Sequence, residues 1–211
     1  MMSDSSTKLT ISVVKRVHGR ANLTLSNGEV LSMPRAMLKE RPYRAGMPFD
    51  RTMFDAFLRD RAYPFALEKA VSLLASRART EKEIIDALRQ NAYPEQVVAR
   101  VMARLQEEGY IDDTAFAEQW IGARTSKGMG ARRIRQELRL KGVSQDDIEE
   151  ALASADEDEI LSAAVRMAEK ASRGRSLSDP SDRQKIIAAL ARRGYDYATA
   201  KKALHILMEQ Q

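Results

Sequence analysis

Residues 130–152 read GARRIRQELRLKGVSQDDIEEAL. Ile134 and Leu138 are four apart, Ile148 and Leu152 are four apart, and an offset of ten links Leu138 to Ile148. Between the two apolar pairs stand Gly142, a residue type that ends helices in the left-handed conformation, and Ser144, a type that starts them. The stretch reads as two short amphipathic helices joined by a tight turn. The offsets of four, ten and four recur upstream at Ile84, Leu88, Val98 and Met102, and downstream at Ile186, Leu190, Ala200 and Leu204. Four residues after each middle leucine the turn position holds Ala92 (preceded by Asn91), Gly142 and Gly194. Ahead of each pair an apolar residue stands three before a base, in Leu74/Arg77, Ile121/Arg124 and Met167/Lys170. Such self-similarity predicts a tandem array of three-helix units, none of which can bury its apolar face alone.

The helix punctuation agrees. Thr80-x-x-Glu83 is a capping box. Pro94 suits a first helical turn, as does Pro180 after Asp179, while Asp112-Asp113, Ser144 and Asp196 are cap residues before apolar periods. Gly109, Gly142 and Gly194 are stop signals, and in the first repeat Asn91 is the residue expected to turn left-handed. Residues 8–33 differ. Leu9, Ile11 and Val13 alternate with polar residues, then Leu23 and Leu25 do so, and Asn27-Gly28 follows. This predicts a β-hairpin with a two-residue turn at Asn27-Gly28 and Val30 opposite Leu25. A short helix is expected near Pro34 and another over about 50–61. The predicted fold is mostly α: a tail at 1–7, a small β-hairpin/helix module at 8–63, and three tandem three-helix repeats at 64–112, 113–154 and 155–211 forming a short curved solenoid.

The 211 residues are 44% hydrophobic and 31% charged, the composition of a chain that builds a core; ten glycines and six prolines leave room for long helices. Cysteine is absent, which excludes disulfides, zinc fingers, iron–sulfur clusters and a cysteine nucleophile. His18 and His205 are the only histidines. Apolar runs such as Ala163-Ala164-Val165 are far too short for a bilayer, and Met-Met-Ser-Asp-Ser-Ser-Thr is no secretory signal, so a cytoplasmic protein without membrane contact is expected. No phosphate loop, nucleophile elbow or His-Glu-x-x-His helix occurs, so neither catalysis nor a cofactor is expected. Gly128-Met129-Gly130 reads either as a joint before a helix or as a backbone approach to phosphate.

The net charge is +5, unevenly spread. Residues 1–64 hold eleven bases against six acids. Arg124 to Lys141 holds seven bases and one acid, Glu137, and Gln145 to Glu159 holds eight acids and no base. On a helix from about 131, Arg132, Arg135 and Arg139 share a face, and Arg133, Lys141, Arg124 and Lys127 add charge nearby. Such a ridge suits phosphates or an acidic protein surface; the alternative is a solvated face paired with the acidic stretch that follows. Arg77, Arg79, Lys82 and Arg89 hold related places in the first repeat, and Arg183, Lys185, Arg192 and Arg193 in the third. Phe116 and Trp120 fit a core, and Tyr110, Tyr195 and Tyr197 fit helix junctions, which leaves no stacking platform for bases. Nucleic-acid contact would then be through the backbone, weak and indifferent to sequence.

The run Leu73-Leu74-x-x-Arg77-x-x-Thr80-x-x-Glu83-Ile84-x3-Leu88 resembles the opening repeat of the RecX family, modulators of the RecA recombinase. So does Gly109-Tyr110-Ile111-Asp112-Asp113-x-x-Phe116-Ala117-x6-Arg124, and Gly130-x3-Ile134-x-x-Glu137-Leu138-x-x-Lys141-Gly142-Val143 is similar to the family's middle repeat. Residues 64–155 carry the match; the third repeat is looser, with Arg193-Gly194-Tyr195 its clearest point, and residues 8–61 are similar to the N-terminal extension of longer members. The resemblance implies an all-helical crescent in the groove of the RecA filament on DNA, blocking filament growth, ATP hydrolysis and strand exchange in homologous recombination and the SOS response, with direct, weak binding to single- and double-stranded DNA in some members. It implies a monomeric, non-enzymatic protein whose contact ridge, carried over by position and charge, comprises Arg124, Lys127, Arg132, Arg133, Arg135, Arg139 and Lys141, with Arg77, Arg79 and Lys82 beside it. Lys8 and Lys15 lie outside the matched repeats and are expected to matter less. Two other readings stay open: an independent DNA reader built from helix-turn-helix-like pairs, and a scaffold for an acidic protein.

Overall fold

In the computed structural model residues 9–210 are described; the tail expected at 1–7, Lys8 and Gln211 lie outside them. The chain divides into two units, residues 1–111 and 112–211.

The first unit opens with three antiparallel strands in the order β1-β2-β3: β1 (Ile11–Val17), β2 (Arg20–Leu25) and β3 (Val30–Pro34). Ile11, Ala21, Leu23, Leu25 and Met33 enter the core, and Val30 is exposed. Val13, expected on the same face as Ile11, is exposed because the register shifts between Ile11 and Val13. Two further expectations are corrected here. The two-residue turn joins β1 to β2 at His18-Gly19, both with positive φ (23° and 71°), not β2 to β3 at Asn27-Gly28. At the latter, only Gly28 is left-handed (φ 87°), and Leu25 exchanges bonds with Gly28 N–H (3.0 Å) and Glu29 C=O (2.8 Å), giving a longer loop. The Asn27 side chain accepts the Glu29 N–H (3.0 Å), which holds Asn27 out of the left-handed region that a two-residue turn demands. Val30 consequently faces Thr24, and Leu31 faces Leu23.

A 3-10 turn (Arg35–Lys39) follows, burying Met37 and Leu38. Helix α1 then runs from Arg51 to Ser76, capped by Asp50, whose carboxylate accepts the Met53 N–H at 2.9 Å. The helix expected at 50–61 therefore continues through Pro64. Proline removes a bond to the Asp60 carbonyl, but both residues are on the exposed side, where that carbonyl is open to solvent. The opposite side buries Phe54, Leu58, Ala62, Ala66 and Ala70 at four-residue intervals, and this stripe keeps the helix continuous across a proline that local rules read as a boundary. Helices α2 (Glu81–Gln90) and α3 (Glu95–Glu107) complete the first repeat; α1 packs on both.

The second unit holds α4 (Asp113–Thr125), α5 (Ala131–Lys141), α6 (Gln145–Ala153), α7 (Glu157–Ser172), α8 (Pro180–Arg192) and α9 (Tyr197–Glu209). Of the twelve repeat positions across both units, eleven are buried and Leu152 is half-buried. The three turns are equivalent: Tyr93, Val143 and Tyr195 each donate an N–H to the carbonyl of Leu88, Leu138 and Leu190, all at 3.2 Å, and all three are buried. This is the Schellman closure, with Ala92 (φ 62°), Gly142 (88°) and Gly194 (95°) left-handed. In the first repeat it is Ala92 that turns, not Asn91, which keeps φ −87° and donates its side-chain amide to the Ala87 carbonyl at 2.7 Å. Tyr110 and Tyr197, expected to pack at junctions, are exposed, whereas Tyr195 is buried. Among the described residues no helix is long and apolar enough to cross a membrane.

Candidate nucleic-acid and partner interface

Helix α5 buries Ile134 and Leu138, so its charged residues divide between two sides of that seam. On one side Arg135 meets Glu149 of α6 through two bonds, Nε to Oε1 at 2.9 Å and Nη2 to Oε2 at 3.0 Å. The hydrogen bond from Arg135 pulls the Glu149 carboxyl below its ordinary range. Arg139 donates through Nε (2.9 Å) and Nη2 (2.6 Å) to the Gln145 side-chain oxygen. The first repeat builds the same bridge six residues across its turn, from Arg89 to Glu95. These bases clip the second helix of a pair to the third. Arg132, on the same side of α5, is exposed and makes no ion pair among the described residues, and Lys127 in the preceding loop is likewise exposed.

On the other side the bases gather around Trp120. Arg124 lies over its ring at 4.2 Å and Lys141 at 4.4 Å, and Phe116 stacks beside it at 5.7 Å. The Trp120 indole N–H donates to Glu137 (3.1 Å), which also meets Arg124 at 2.7 Å and Arg133 at 3.5 Å. Glu137, the single acid in the basic block, is thus the hub that gathers two of its arginines, with Trp120 holding two cations by their attraction to its ring face. Phe116 lies in the core as expected, with Trp120 half-buried against it. The expected alternative of a face paired with the acidic stretch that follows is met at Arg135–Glu149, whereas the Glu137 hub was not foreseen. For that hub the legible signal was the i,i+4 spacing of Arg133 and Glu137.

Elsewhere the bases serve the loops. Arg77 meets Glu83 at 2.7 Å, Arg79 donates to the Leu73 carbonyl at 3.1 Å, and Arg183 donates to the Leu177 carbonyl at 3.0 Å. Lys82 is exposed on α2. Arg77 and Arg79 therefore close the end of α1.

The N–H groups of the Gly128–Gly130 segment are taken within the protein, those of Gly128 and Met129 by the Thr125 and Arg124 carbonyls. The Gly130 and Arg132 N–H groups donate to the Arg193 and Gly194 carbonyls, each at 3.0 Å, so the turn of the third repeat caps the start of α5. Asp112 accepts the Ala115 N–H at 2.8 Å and is a helix cap. Arg132 and Arg133 of α5 and Arg192 of α8 line an open groove of about 430 Å³ beside this contact.

Comparison with known proteins agrees with this architecture. Residues 66–105, 112–152 and 157–204 match the family models for the first, second and third three-helix domains of RecX. The chain is 38% identical over 136 residues to a regulatory protein RecX of Mycolicibacterium vanbaalenii, covering 61% of this chain and 74% of that one. It is 31% identical over 195 residues to one of Leuconostoc citreum, covering 90% and 72%. A crystal structure of RecX from Lactobacillus salivarius superposes with a TM-score of 0.66 at 23% identity, over 70% of this chain and 97% of that one. A second RecX crystal structure, also 23% identical, covers 95% of this chain and 99% of its own with a TM-score of 0.63, so the likeness in fold takes in nearly the whole chain. Three domain matches in order, together with relatives of this identity and coverage, place the chain in the RecX family of regulatory proteins.

Proposed function

We propose that this chain is a non-enzymatic regulator, an inhibitor, of a RecA-type recombinase, binding in the groove of the recombinase–DNA filament and lowering its ATPase and strand exchange in homologous recombination and the SOS response. Membership of a family of regulatory proteins supports the class of function. The observation that carries the contact surface is the exposed side of α5. Arg132 and Lys127 are open to solvent, and Arg135 and Arg139 are held by surface partners only. A bridge such as Arg135–Glu149, with side chains 33% and 46% exposed, is worth at most about 1 kcal/mol, so a phosphate can take either arginine at little cost. Arg124, Arg133 and Lys141 are committed to Glu137 and Trp120 and orient the surface. Contact with DNA alone is then weak, independent of sequence and steeply salt-dependent, and the protein acts as a monomer in the cytoplasm.

The test is inhibition of recombinase ATPase on single-stranded DNA by the wild type and by Arg132→Glu/Arg135→Glu/Arg139→Glu, with circular dichroism as the check on folding. The triple variant is expected to keep its fold, because Ile134 and Leu138 are untouched, and to inhibit at least tenfold less well. A folded variant that inhibits like the wild type removes this surface from the contact. A wild type without effect on its own organism's recombinase refutes the function.

A further inference from the structure

Four bases of the first unit that lack an acidic partner converge on one surface. Arg16 of β1, Arg35 and Lys39 of the 3-10 turn and Lys69 of α1 make no ion pair among the described residues. They are not scattered. Arg35, Lys39 and Lys69 line an open groove of about 360 Å³ between the 3-10 turn and α1. An adjoining groove of about 300 Å³ shares Arg35 and Lys39 and adds Arg16. Glu68 is the single acid on either lining, so the pair carries four positive charges against one negative. Four like charges around one groove repel one another in the free protein, a cost that a bound polyanion turns into attraction. Neighbouring Arg61, by contrast, is matched to Glu40 with two bonds at 3.0 and 3.2 Å, so acids are within reach of this segment and are used elsewhere.

The lining says which polyanion. None of the four cations is buried and they come from three separate elements, so there is no cage for a single small anion. The rest of the lining is small or polar at Gly19, Ala36, Ser72 and Asn91, with Phe65, Leu38 and Tyr93 adding apolar surface. Cations from three elements around two adjoining open grooves, with apolar residues in the same lining, match a thin chain that carries one charge per unit and apolar faces between them. We infer that this groove binds the sugar–phosphate backbone of a single nucleic-acid strand, without base preference, through Arg16, Arg35, Lys39 and Lys69. It is a second site, on a different unit from α5, and it rests on the proposed function only for the expectation that DNA is within reach.

The experiment contains no recombinase, so it fails or succeeds independently of that function. Binding of the full chain to a fluorescein-labelled oligothymidylate is followed by anisotropy across a salt series. Arg35→Gln/Lys39→Gln is compared with Lys201→Gln/Lys202→Gln, which removes the same charge from exposed positions of α9. The first pair is expected to make the slope of log K on log salt shallower by about 1.4, and the quadruple variant with Arg16→Gln and Lys69→Gln by about 2.8, at roughly 0.7 per phosphate contact on a single strand. The α9 pair is expected to change it little. Arg35→Lys/Lys39→Arg keeps the charge and is expected to keep binding. If the quadruple variant does not fold, the double variant, confined to exposed positions of the 3-10 turn, decides. Equal slopes for the two double variants overturn the site, as does polyglutamate competing as well as unlabelled oligonucleotide.

Discussion

Gly130 and Gly194 come together so closely that neither tolerates a side chain. A Cβ on Gly130 would lie 2.3 Å from the Gly194 carbonyl carbon and 2.2 Å from the Tyr195 nitrogen; one on Gly194 would lie 2.6 Å from the Arg133 Cβ. The obstructing atoms are backbone or the root of a side chain, which cannot swing away. This is the seam where the second and third repeats join, and it is made of main chain: two N–H groups at the start of α5 satisfied by two carbonyls of the α8–α9 turn.

Gly130→Ala is therefore expected to lower the stability of the second unit by about 2 kcal/mol or more, through displaced backbone and lost bonds. Gly194→Ala adds the cost of a left-handed alanine, about 1 kcal/mol, to the clash. Gly122, in the middle of α4 with open space where a Cβ would go, is the control. Gly122→Ala is expected to stabilise by about 0.5–1 kcal/mol. Urea titrations of the three variants test the ordering, and a Gly130→Ala protein as stable as wild type would show that the seam is not packed as described.

Ala92 is the one residue without a glycine's freedom at a repeat turn. Ala92→Gly is expected to raise the thermal midpoint slightly, with relief of up to about 1 kcal/mol set against the greater freedom of glycine in the unfolded chain. Asn91→Gly, which deletes the bond to the Ala87 carbonyl and leaves the strained alanine in place, is expected to destabilise. Similar melting curves for the two would contradict the assignment of the left-handed position.

Burial of Tyr93, aided by the negative charge of Glu68, pushes its hydroxyl up to about 12 from an ordinary value of 10.0. Its hydroxyl donates to the Phe65 carbonyl at 3.1 Å, a bond only the neutral form makes. The folded state therefore binds this proton more tightly than the unfolded state does. The stabilisation is complete below pH 10 and is lost as pH rises through the folded value, at about 1.4 kcal/mol per pH unit. Denaturant midpoints between pH 9 and 12 are expected to fall steeply in the wild type and less steeply in Tyr93→Phe. Tyr195 differs: its hydroxyl is buried with no hydrogen-bond partner among the described residues, so Tyr195→Phe is expected to leave stability unchanged or raise it at neutral pH.

Arg135 and Glu149 give a measurable estimate of how firmly the α5 surface is held. A double-mutant cycle of Arg135→Gln and Glu149→Gln is expected to return a coupling of about 0.2–1 kcal/mol that shrinks with salt. A coupling well above that range would mean that Arg135 is a structural residue and is not available to a phosphate.

Ile134→Asp is expected to unfold the second unit, since a carboxylate in a site 1% exposed has no partner among Phe116, Ile121, Leu138 and Ile148, the apolar cluster around it. Loss of the cooperative far-ultraviolet transition is the readout, and retention of a native-like melt would refute the burial of the repeat seam.

The sequence by itself determined the repeat, because spacing is a one-dimensional property. Ile134, Leu138, Ile148 and their counterparts are where periodicity places them, and Thr80, Asp112, Ser144, Asp179 and Asp196 cap helices through their own side chains within a few residues. Local bonds of that kind need nothing from the rest of the molecule. Tertiary structure decided what depends on two distant segments meeting. Pro64 lies inside α1 because a buried alanine stripe outweighs the local bias of a proline, and Ala92 accepts a left-handed φ because Tyr93 and Leu88 are held in the core around it. The charges show the same division. The sequence displayed a basic block and an acidic block, but which arginines neutralise which acids is set by side-chain reach across a helix pair. Arg135 reaches Glu149 and Arg139 reaches Gln145, Arg124 folds onto Trp120 and Glu137, and Arg35, Lys39 and Lys69, far apart or unremarkable in the sequence, line one groove.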